Sequence, residues 1–216
     1  MKHLSIMQHL NRPAHLYIGR RKTHSGFSLI VALILLAVVT LLGIGASQIV
    51  LLAERSTRFQ RDYQIAFQAA EAALIDAEFD IRGPNTAASQ RMSSFSPTEA
   101  IGFVDGCGNT AAARGLCNPV ASGSNPIWYT VDFTDTSTTA KTAQFGEFTG
   151  RAASLSTGST GIRPAILPRY IIEVIPDTTP GTSASGALRL LYRVTAMGFG
   201  PRTETQAVVQ MIFRKE

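Results

Sequence analysis

A stretch of 27 residues without a single charge, from Phe27 to Ala53, is the feature that most constrains this chain. It follows a basic segment, Arg20-Arg21-Lys22-Thr23-His24-Ser25-Gly26, which ends in glycine. About 20 apolar residues cross the hydrocarbon core of a bilayer as a helix. Because cations beside such a helix stay on the cytoplasmic side, we expect residues 27–53 to span a membrane and the rest of the chain to lie beyond it.

Two other interpretations of the apolar stretch stay open. A secretory signal peptide would be cut after small residues such as Gly45-Ala46-Ser47, but its apolar region has about 7–15 residues, roughly half of the length found here. An uncleaved signal anchor would keep the basic segment attached. The chemical identity of the mature N-terminus distinguishes both from a processed membrane protein.

The excess positive charge of the chain belongs entirely to its first 26 residues. The formal net charge is +5, and residues 1–26 contain five basic residues, no acidic residue and all four histidines. The remainder, with equal numbers of basic and acidic residues, is neutral. A neutral body lacks the basic surface of a general nucleic-acid binder, so we expect no general nucleic-acid binding.

The residues after the apolar stretch continue as an amphipathic helix. Apolar side chains recur every three or four residues and form one stripe, which we expect a domain to cover. Most of the charged and amide side chains, Asp62 among them, are predicted to lie on the other faces. The helix should end at Gly83-Pro84, because proline disfavours helical geometry just before itself. The predicted stripe consists of Phe59, Tyr63, Ala66, Phe67, Ala70, Leu74, Ala77 and Ile81.

Residues 83–216 have the size of an ordinary domain. Its β-rich segments are clearest late in the chain, at 170–175, 188–197 and 203–213. The turn at Gly198-Phe199-Gly200-Pro201 predicts that the last two form a hairpin, and Ile127 to Phe133 is predicted as an earlier strand. We therefore predict an α+β fold, with a long N-terminal helix whose second half packs against an antiparallel sheet. In the last strand, one face carries Ala207, Val209, Met211 and Phe213.

The two cysteines, Cys107 and Cys117, lie in one glycine-rich loop. Outside the cytoplasm the compartment is oxidising, so the pair is predicted to form a disulfide. The alternative is a metal site, but two thiols without histidine fall short of a zinc ligand set. We expect no bound metal.

The sequence contains no motif that points to an enzyme. Without residues 1–26 it has no histidine for general base catalysis, and it has no G-x-S-x-G, P-loop or H-E-x-x-H motif. The segment 106–111 fits G-x-G-x-x-A, but no predicted strand precedes it. Asp132, Asp135 and Ser137 could contact calcium, although a solvated turn explains them as well. We expect no catalytic residues and no cofactor.

The junction before the apolar stretch resembles a known processing signal. Gly26-Phe27-Ser28-Leu29-Ile30-Val31-Ala32-Leu33-Ile34-Leu35-Leu36 is similar to the class III signal of type IV pilins and type II secretion pseudopilins. The resemblance implies that a prepilin peptidase cuts between Gly26 and Phe27 and methylates Phe27. It divides the chain into a leader (1–26), a transmembrane or assembly half of a stem helix (27–53), an amphipathic half (54–82) and an α+β globular head (83–216).

A narrower resemblance lies downstream. Ala66-Phe67-Gln68-Ala69-Ala70-Glu71-Ala72-Ala73-Leu74 resembles the stem of the PilX-type minor pilins. Tyr192-Arg193-Val194-Thr195-Ala196-Met197-Gly198 resembles a late strand of the same group. Together these similarities cover residues 26–82 closely and residues 170–213 loosely.

The chain departs from the general pilin pattern at Val31. Most pilins carry glutamate at the fifth position after the cut, and here no acidic residue occurs before Glu54. In the family that glutamate meets the N-terminal amine of the neighbouring subunit, and the tip subunit of pseudopilin systems lacks it. A carboxylate in an apolar helix bundle is costly unless paired. The departure predicts a subunit at or near the pilus tip, although a tolerated substitution within the shaft is the alternative.

The resemblance implies a structural protein of the type IV pilus of a Gram-negative bacterium. A PilX-like minor pilin would prime assembly together with PilV-, PilW- and FimU-like minor pilins, the major pilin and a PilY-type tip adhesin, and would support piliation, twitching motility and adhesion. It would wait in the inner membrane with a periplasmic head and then enter the extracellular fibre. Two alternatives are a tip pseudopilin of type II secretion, which carries a larger head, and an uncleaved membrane-anchored periplasmic receptor or enzyme.

Overall fold

The computed structural model describes residues 27–83, 91–121, 123–152, 162–178 and 189–215. The leader, including Gly26, lies outside the described residues, as does Pro84. The chain divides into two compact units, residues 1–52 and 53–216, which are treated separately below. The elements in chain order are α1 (Phe27–Arg82), a 3₁₀ turn (Met92–Ser94), β1 (Leu116–Cys117), α2 (Ile127–Thr130), β2 (Ala143–Gln144), β3 (Arg169–Pro176), β4 (Leu190–Phe199) and β5 (Gln206–Phe213).

Helix α1 confirms the predicted long N-terminal helix. Every residue from 27 to 52 is exposed. An 18-residue window of the helix has a mean hydropathy of 3.0, with none of the window buried. By length and composition alone, this segment is able to cross a membrane. Gly83 ends the helix with a left-handed φ of 76°, and its N–H donates to the carbonyl of Phe79, a helix end that favours glycine.

The second unit contains a five-stranded sheet in the order β1-β3-β4-β5, with β2 also pairing to β3. The three long strands are antiparallel neighbours, and β4 and β5 form the predicted hairpin. Its turn begins at Gly200, since Gly198 and Phe199 still belong to β4. The short strand β1 pairs with β3 in parallel, Leu116 beside Ile172. The predicted α+β fold is therefore confirmed, with one parallel pair in a mainly antiparallel sheet.

The two faces of the sheet bury two separate cores, because side chains alternate along a strand. One face packs on the second half of α1 and on three aromatic rings of the loops before β3, those of Phe95, Phe103 and Phe148. Its centre is formed by Tyr170, Ile172, Val174, Tyr192, Val194 and Ala196. The opposite face, around Ile171 and Phe199, is covered by the two cysteines and by Ile127, Val131 and Phe133.

The buried stripe of α1 differs from the predicted one. Phe59 and Tyr63 are 57% and 45% exposed, so the prediction was wrong at the start of the stripe. Asp62, predicted on a polar face, is buried. The sheet approaches α1 so closely that alanine fits where an aromatic ring would not, and polar contacts compensate the buried carboxylates. The buried residues of α1 are Asp62, Ala66, Ala70, Ala73, Asp76, Ala77, Asp80 and Ile81.

The predicted strand from Ile127 to Phe133 was also wrong, since Ile127–Thr130 forms the short helix α2. The hydroxyl of Thr130 donates to the carbonyl of Ile127 over 2.8 Å. Such a local bond competes with the hydrogen bonding of a sheet. One helical turn also brings Ile127 and Val131 into the same apolar core.

Candidate functional site

The sheet approaches the backbone of α1 very closely at Gly198 in β4. A Cβ added to this glycine would lie 2.0 Å from the carbonyl oxygen of Ala66 and 2.3 Å from the amide nitrogen of Ala70. Gly200, in the following turn, would meet the carbonyl oxygen of Asp62 at 2.9 Å. The alanine-rich segment of the stem and the late glycine therefore form one contact, in which the strand lies directly on the helix backbone.

A buried ion pair joins the end of α1 to the segment that follows it. Asp80 is fully buried and Arg91 is 5% exposed. The Nε of Arg91 donates to both carboxylate oxygens of Asp80, at 3.0 and 2.9 Å. The hydroxyl of Tyr170 donates to the same carboxylate over 3.0 Å. The pair thus connects α1 to β3 as well.

Arg91 also connects this pair to the neighbouring loops. Its Nη1 donates to the carbonyl of Arg114 over 2.7 Å, and its guanidinium lies 3.4 Å from the ring centre of Phe148. Burial, followed by the charge of Asp80, raises the pKa of Tyr170 well above its usual value. The phenol therefore stays protonated and donates to the carboxylate.

Asp76, one helical turn before Asp80, is fully buried and bonded to a different loop. It accepts hydrogen bonds from the amide of Gly146, at 2.7 Å, and from the hydroxyl of Thr149. Arg151 lies 3.8 Å away and is partly exposed. Burial raises the pKa of Asp76, and the bonds from Thr149 and Gly146 and the charge of Arg151 oppose that rise.

The raised pKa predicts a pH dependence of stability. A raised folded-state pKa contributes stability that is fully present below the unfolded value and is lost as the pH rises through the folded value. We expect the unfolding free energy of wild type relative to Asp76→Asn to be highest near the ordinary value of 3.8 and to fall toward neutral pH. Denaturant titration of both chains in detergent micelles, followed by Trp128 fluorescence, measures it. A difference independent of pH, or one that grows toward neutrality, contradicts this assignment.

The opposite face of the sheet also contains a paired carboxylate. Glu173 in β3 is 2% exposed and lies directly across from Arg193 in β4. The Nε and Nη2 of Arg193 donate to one oxygen of Glu173 at 3.0 and 2.6 Å. This cross-strand pair lies beside the second core and helps to fix the register of β3 and β4.

Cys107 and Cys117 form a disulfide. Both sulfur-bearing residues are buried, and Cys117 belongs to β1. Inside the closed loop the Gly108 amide donates to the carbonyl of Leu116, and the Gly115 amide donates to the carbonyl of Gly108. The disulfide therefore attaches an ordered loop to the edge of the sheet.

Loss of this disulfide should destabilise the head. A closed loop of about ten residues corresponds to roughly 2.5–3 kcal/mol in the chain-entropy model. We expect the double substitution Cys107→Ala and Cys117→Ala to lower the unfolding free energy by about that amount, measured by denaturant titration under oxidising conditions. Wild type treated with a reductant serves as a matched control and should lose a similar amount. A loss below about 1 kcal/mol in both samples would contradict the prediction.

The residues considered as possible calcium ligands lie in two local turns. Asp132 accepts hydrogen bonds from the amide and hydroxyl of Thr134, and Asp135 accepts one from the amide of Ser137. These bonds already occupy one oxygen of each carboxylate, as in ordinary Asx turns. Within the described ranges, no three histidine, cysteine, aspartate or glutamate side chains are grouped to hold a metal ion.

The N-terminal residues that the sequence singled out belong to the first unit. Phe27 is the first described residue and is 73% exposed. Val31 is 39% exposed, and the first turn of α1 contains no acidic residue. A segment exposed on all sides needs lipid or other apolar helices around it.

Sequence reasoning missed the polar residues that hold the head together. Asp76 and Asp80 break the apolar spacing of α1, and Arg91 lies outside any regular element. Asp76 and Asp80 lie three or four residues from Ala73 and Ala77, and therefore on the same side of the helix. This spacing was the signal in the sequence that they would be buried. Their partners are 11 or more residues away in the sequence, and nothing local indicates such pairing.

A long apolar helix that leads into a mainly antiparallel sheet has the architecture of a type IV pilin. A family model described as Type IV pilus assembly protein PilX C-term matches residues 113–215. A second one, PilX N-terminal, matches residues 25–74. No curated protein and no solved structure matches the chain significantly.

Together the two models cover more than two thirds of the chain, which belongs to the PilX family of type IV pilus minor pilins. The C-terminal match begins at residue 113, well before the late strands on which the sequence resemblance was based. The family is one of structural pilins, not of known enzymes. Family membership and the apolar helix together fit membrane anchoring and assembly into a pilus.

Proposed function

We propose that this protein primes assembly of the type IV pilus and occupies a position at or near its tip. The observation that carries the proposal is Val31, in a helix without an acidic residue before Glu54. In most pilins a glutamate there meets the amine of the subunit ahead, whereas a first subunit has no such neighbour. An unpaired carboxylate in an apolar bundle is costly, so its absence suits an initiating position.

The two units of the chain support an assembly role. Residues 27–52 are exposed and uncharged, so this segment is equally suited to lipid and to a bundle of apolar helices. The second unit has two buried cores of its own. A unit that folds around its own cores leaves the apolar segment free to exchange lipid for other pilin helices. We propose the division into leader 1–26, assembly segment 27–53, amphipathic stem 54–82 and head 83–216 on this basis.

The proposed processing is a cut between Gly26 and Phe27, followed by methylation of Phe27. Mass spectrometry of the purified protein tests it, with a mature N-terminus at methylated Phe27 as the expected result. Gly26→Val should retain the leader and serves as the control for the peptidase step. An intact leader in wild type, or a cut near Ala46, would overturn the proposal and favour a membrane-anchored periplasmic protein instead.

Introducing a carboxylate at position 31, where most pilins have one, tests the tip position. We expect Val31→Glu to reduce the number of pili and the recovery of the minor-pilin complex, while Val31→Ile, which adds one methylene, leaves both unchanged. Gold labelling of an epitope-tagged head should mark fibre ends only. Labels spread along the shaft, or normal piliation with Val31→Glu, would reject the tip position.

The partners we propose are PilV-, PilW- and FimU-like minor pilins, the major pilin and a PilY-type adhesin. The stem offers a candidate contact, because Phe59 and Tyr63 are exposed and stacked with ring centres 6.5 Å apart. Co-purification from a piliated strain tests this contact. Phe59→Ser with Tyr63→Ser should reduce recovery of the other minor pilins, and Thr57→Ser on the same helix should not. Equal recovery from both chains would exclude these rings as the contact.

A further inference from the structure

A strip of arginine side chains lies on α1 directly after the uncharged stretch. Arg55, Arg58 and Arg61 are three residues apart, and residues at this spacing are neighbours on one side of a helix. All three are exposed. They belong to residues 54–63, which we call the collar. The collar therefore presents a cationic surface at the start of the second unit.

The depth of the collar in a membrane follows from the length of the stretch before it. The 27 uncharged residues measure about 40 Å as a helix. A bilayer is about 40–45 Å thick when its headgroup regions are included. A helix that spans the bilayer with this stretch brings Arg55 and Arg58 to the level of the headgroups, and the flexible stem of an arginine lets its guanidinium reach further toward them.

The exposed carboxylate of the collar occupies only one of these arginines. Arg58 pairs with Glu54, and the two side chains are 69% and 54% exposed. Pairs this exposed stabilise a protein little, so Arg58 readily exchanges the carboxylate for another acceptor. Arg55 has no ion-pair partner among the described residues. Both guanidinium groups are thus available to a ligand with a negative charge.

The third arginine of the collar shares one carboxylate with the turn after β4. The Nη2 of Arg61 lies 3.3 Å from Asp62, and the Nη2 of Arg202 lies 3.8 Å from the same carboxylate. The side chain of Asp62 is 11% exposed, whereas those of the two arginines are 57% and 70% exposed. Glu204, in the same turn, accepts a hydrogen bond from the hydroxyl of Thr203. One buried acid therefore faces two exposed cations, which leaves this part of the surface positive.

The collar also carries two aromatic rings that suit a membrane surface. Phe59 and Tyr63 are 57% and 45% exposed, and their ring centres are 6.5 Å apart. Tyrosine is enriched at membrane–water interfaces, where its ring meets the apolar boundary and its hydroxyl meets water. Basic and aromatic side chains together are typical of helices that lie at an anionic membrane surface.

The arginines of the collar lie on the flank where the charge rule for membrane helices disfavours cations. The basic leader keeps its own side in the cytoplasm, and basic residues within about 15–20 residues of the other end oppose that orientation. Arg55, Arg58 and Arg61 all fall within this distance of Ala53. A charge distribution that works against insertion suits a contact that is made after insertion.

We propose that the collar binds the phosphate groups of anionic phospholipids at the outer surface of the inner membrane before the subunit enters the fibre. A guanidinium group presents a fork of donors that matches phosphate oxygens, and the negative headgroups complement the exposed arginines. Such binding rests on the proposed membrane insertion and is independent of the tip position. Extraction of the subunit exchanges these lipids for neighbouring pilins, so the contact of Phe59 and Tyr63 proposed above belongs to a later stage.

Electron spin resonance on the full chain in phosphatidylcholine bilayers with trace spin-labelled lipid tests this binding. The fraction of label immobilised at the protein gives the association constant of phosphatidylglycerol relative to that of phosphatidylcholine. We expect this ratio to exceed one in wild type and to fall at least about twofold in the double variant Arg55→Gln, Arg58→Gln, since each arginine near the surface attracts anionic lipid. Both chains retain residues 1–26, so the basic leader contributes equally to each ratio.

The double variant Arg82→Gln, Arg189→Gln is the matched control. Arg82 pairs with Glu78 at the same four-residue spacing on α1, and Arg189 is exposed before the start of β4. The control therefore removes two charges, one of them paired, far from the collar, and it should keep the wild-type ratio. Arg55→Lys with Arg58→Lys retains both charges and should also keep most of the ratio.

Three outcomes would overturn the proposal. One is an equal ratio in wild type and the collar glutamine variant, or an equal fall in the control. A second is an unchanged ratio together with reduced recovery of other minor pilins, which would show that the arginines bind protein. The third, no immobilised lipid of either kind, would refute membrane insertion as well. Circular dichroism melts show that each variant is folded.

Discussion

Among substitutions that add a single methyl group in the described part of the sheet, Gly198→Ala should cause the largest loss of unfolding free energy. The added Cβ would lie 2.0 Å from the carbonyl oxygen of Ala66, and backbone of a helix cannot move aside as the end of a side chain can. Overpacking costs about 1–3 kcal/mol and occasionally more. Because the neighbouring atoms are backbone, we expect a loss of about 3 kcal/mol or more in unfolding free energy, measured by denaturant titration of the full chain in micelles.

Gly123→Ala is the control for this substitution. Gly123 has a φ of +90°, and no heavy atom lies within 4 Å of an added Cβ. Alanine there should therefore lower the unfolding free energy only through backbone strain, by about 1 kcal/mol. The comparison separates a clash from the loss of glycine itself. Equal losses in the two variants would show that Gly198 does not hold β4 against α1. A functional consequence also follows, since a strand displaced from the stem should reduce recovery of the protein in pili.

Arg91→Met should cost about 3–5 kcal/mol, because it removes the guanidinium that is bonded to the buried carboxylate of Asp80. The carboxylate would retain the hydroxyl of Tyr170 at 3.0 Å, and the carbonyl of Arg114 would lose its donor. Methionine keeps much of the volume of the arginine stem, so the loss reports the charge and its hydrogen bonds more than a cavity. Denaturant titration of the full chain in micelles measures it.

A double-mutant cycle isolates the pair. Asp80→Asn combined with Arg91→Met should recover part of the stability that Arg91→Met loses, with a coupling of about 2–3 kcal/mol. Arg58→Met breaks an exposed pair with Glu54 on the same helix and should change the unfolding free energy by less than about 0.5 kcal/mol. The opposite result is a loss of unfolding free energy in the double variant that equals the sum of the losses in Arg91→Met and Asp80→Asn. In that case the two side chains do not stabilise the head through each other, and the loops around residues 112–114 are held by other contacts.

The late strands and the long helix could be predicted because their signals are local. Alternation of buried and exposed residues in β5, with Ala207 and Val209 inward, follows directly from the two-residue repeat of a strand. The pair of cysteines in one loop was also sufficient to predict the disulfide, since few residues separate them. Val31 and the Gly26–Phe27 junction stay predictions about processing and position, and the experiments proposed above decide them.

The errors fall where local pattern and tertiary packing disagree. Phe59 and Tyr63 satisfy the apolar spacing, yet both are exposed, and Asp62 lies in the buried row instead. The β-rich composition of residues 127–133 did not produce a strand, because one helical turn buries Ile127 and Val131 together. In each case a distant surface, not the neighbouring residues, determined which side chain is buried.

The amino-acid sequence by itself determined the apolar helix, its basic flank and the order of the late strands, because hydropathy and periodicity act over short distances along the chain. Only the tertiary structure decided which alanines face Gly198 and why Asp76 and Asp80 are buried. Those contacts join residues from 11 to more than 120 positions apart. Their energies depend on close approach and on exclusion of water, which exist only once the sheet has packed on the helix.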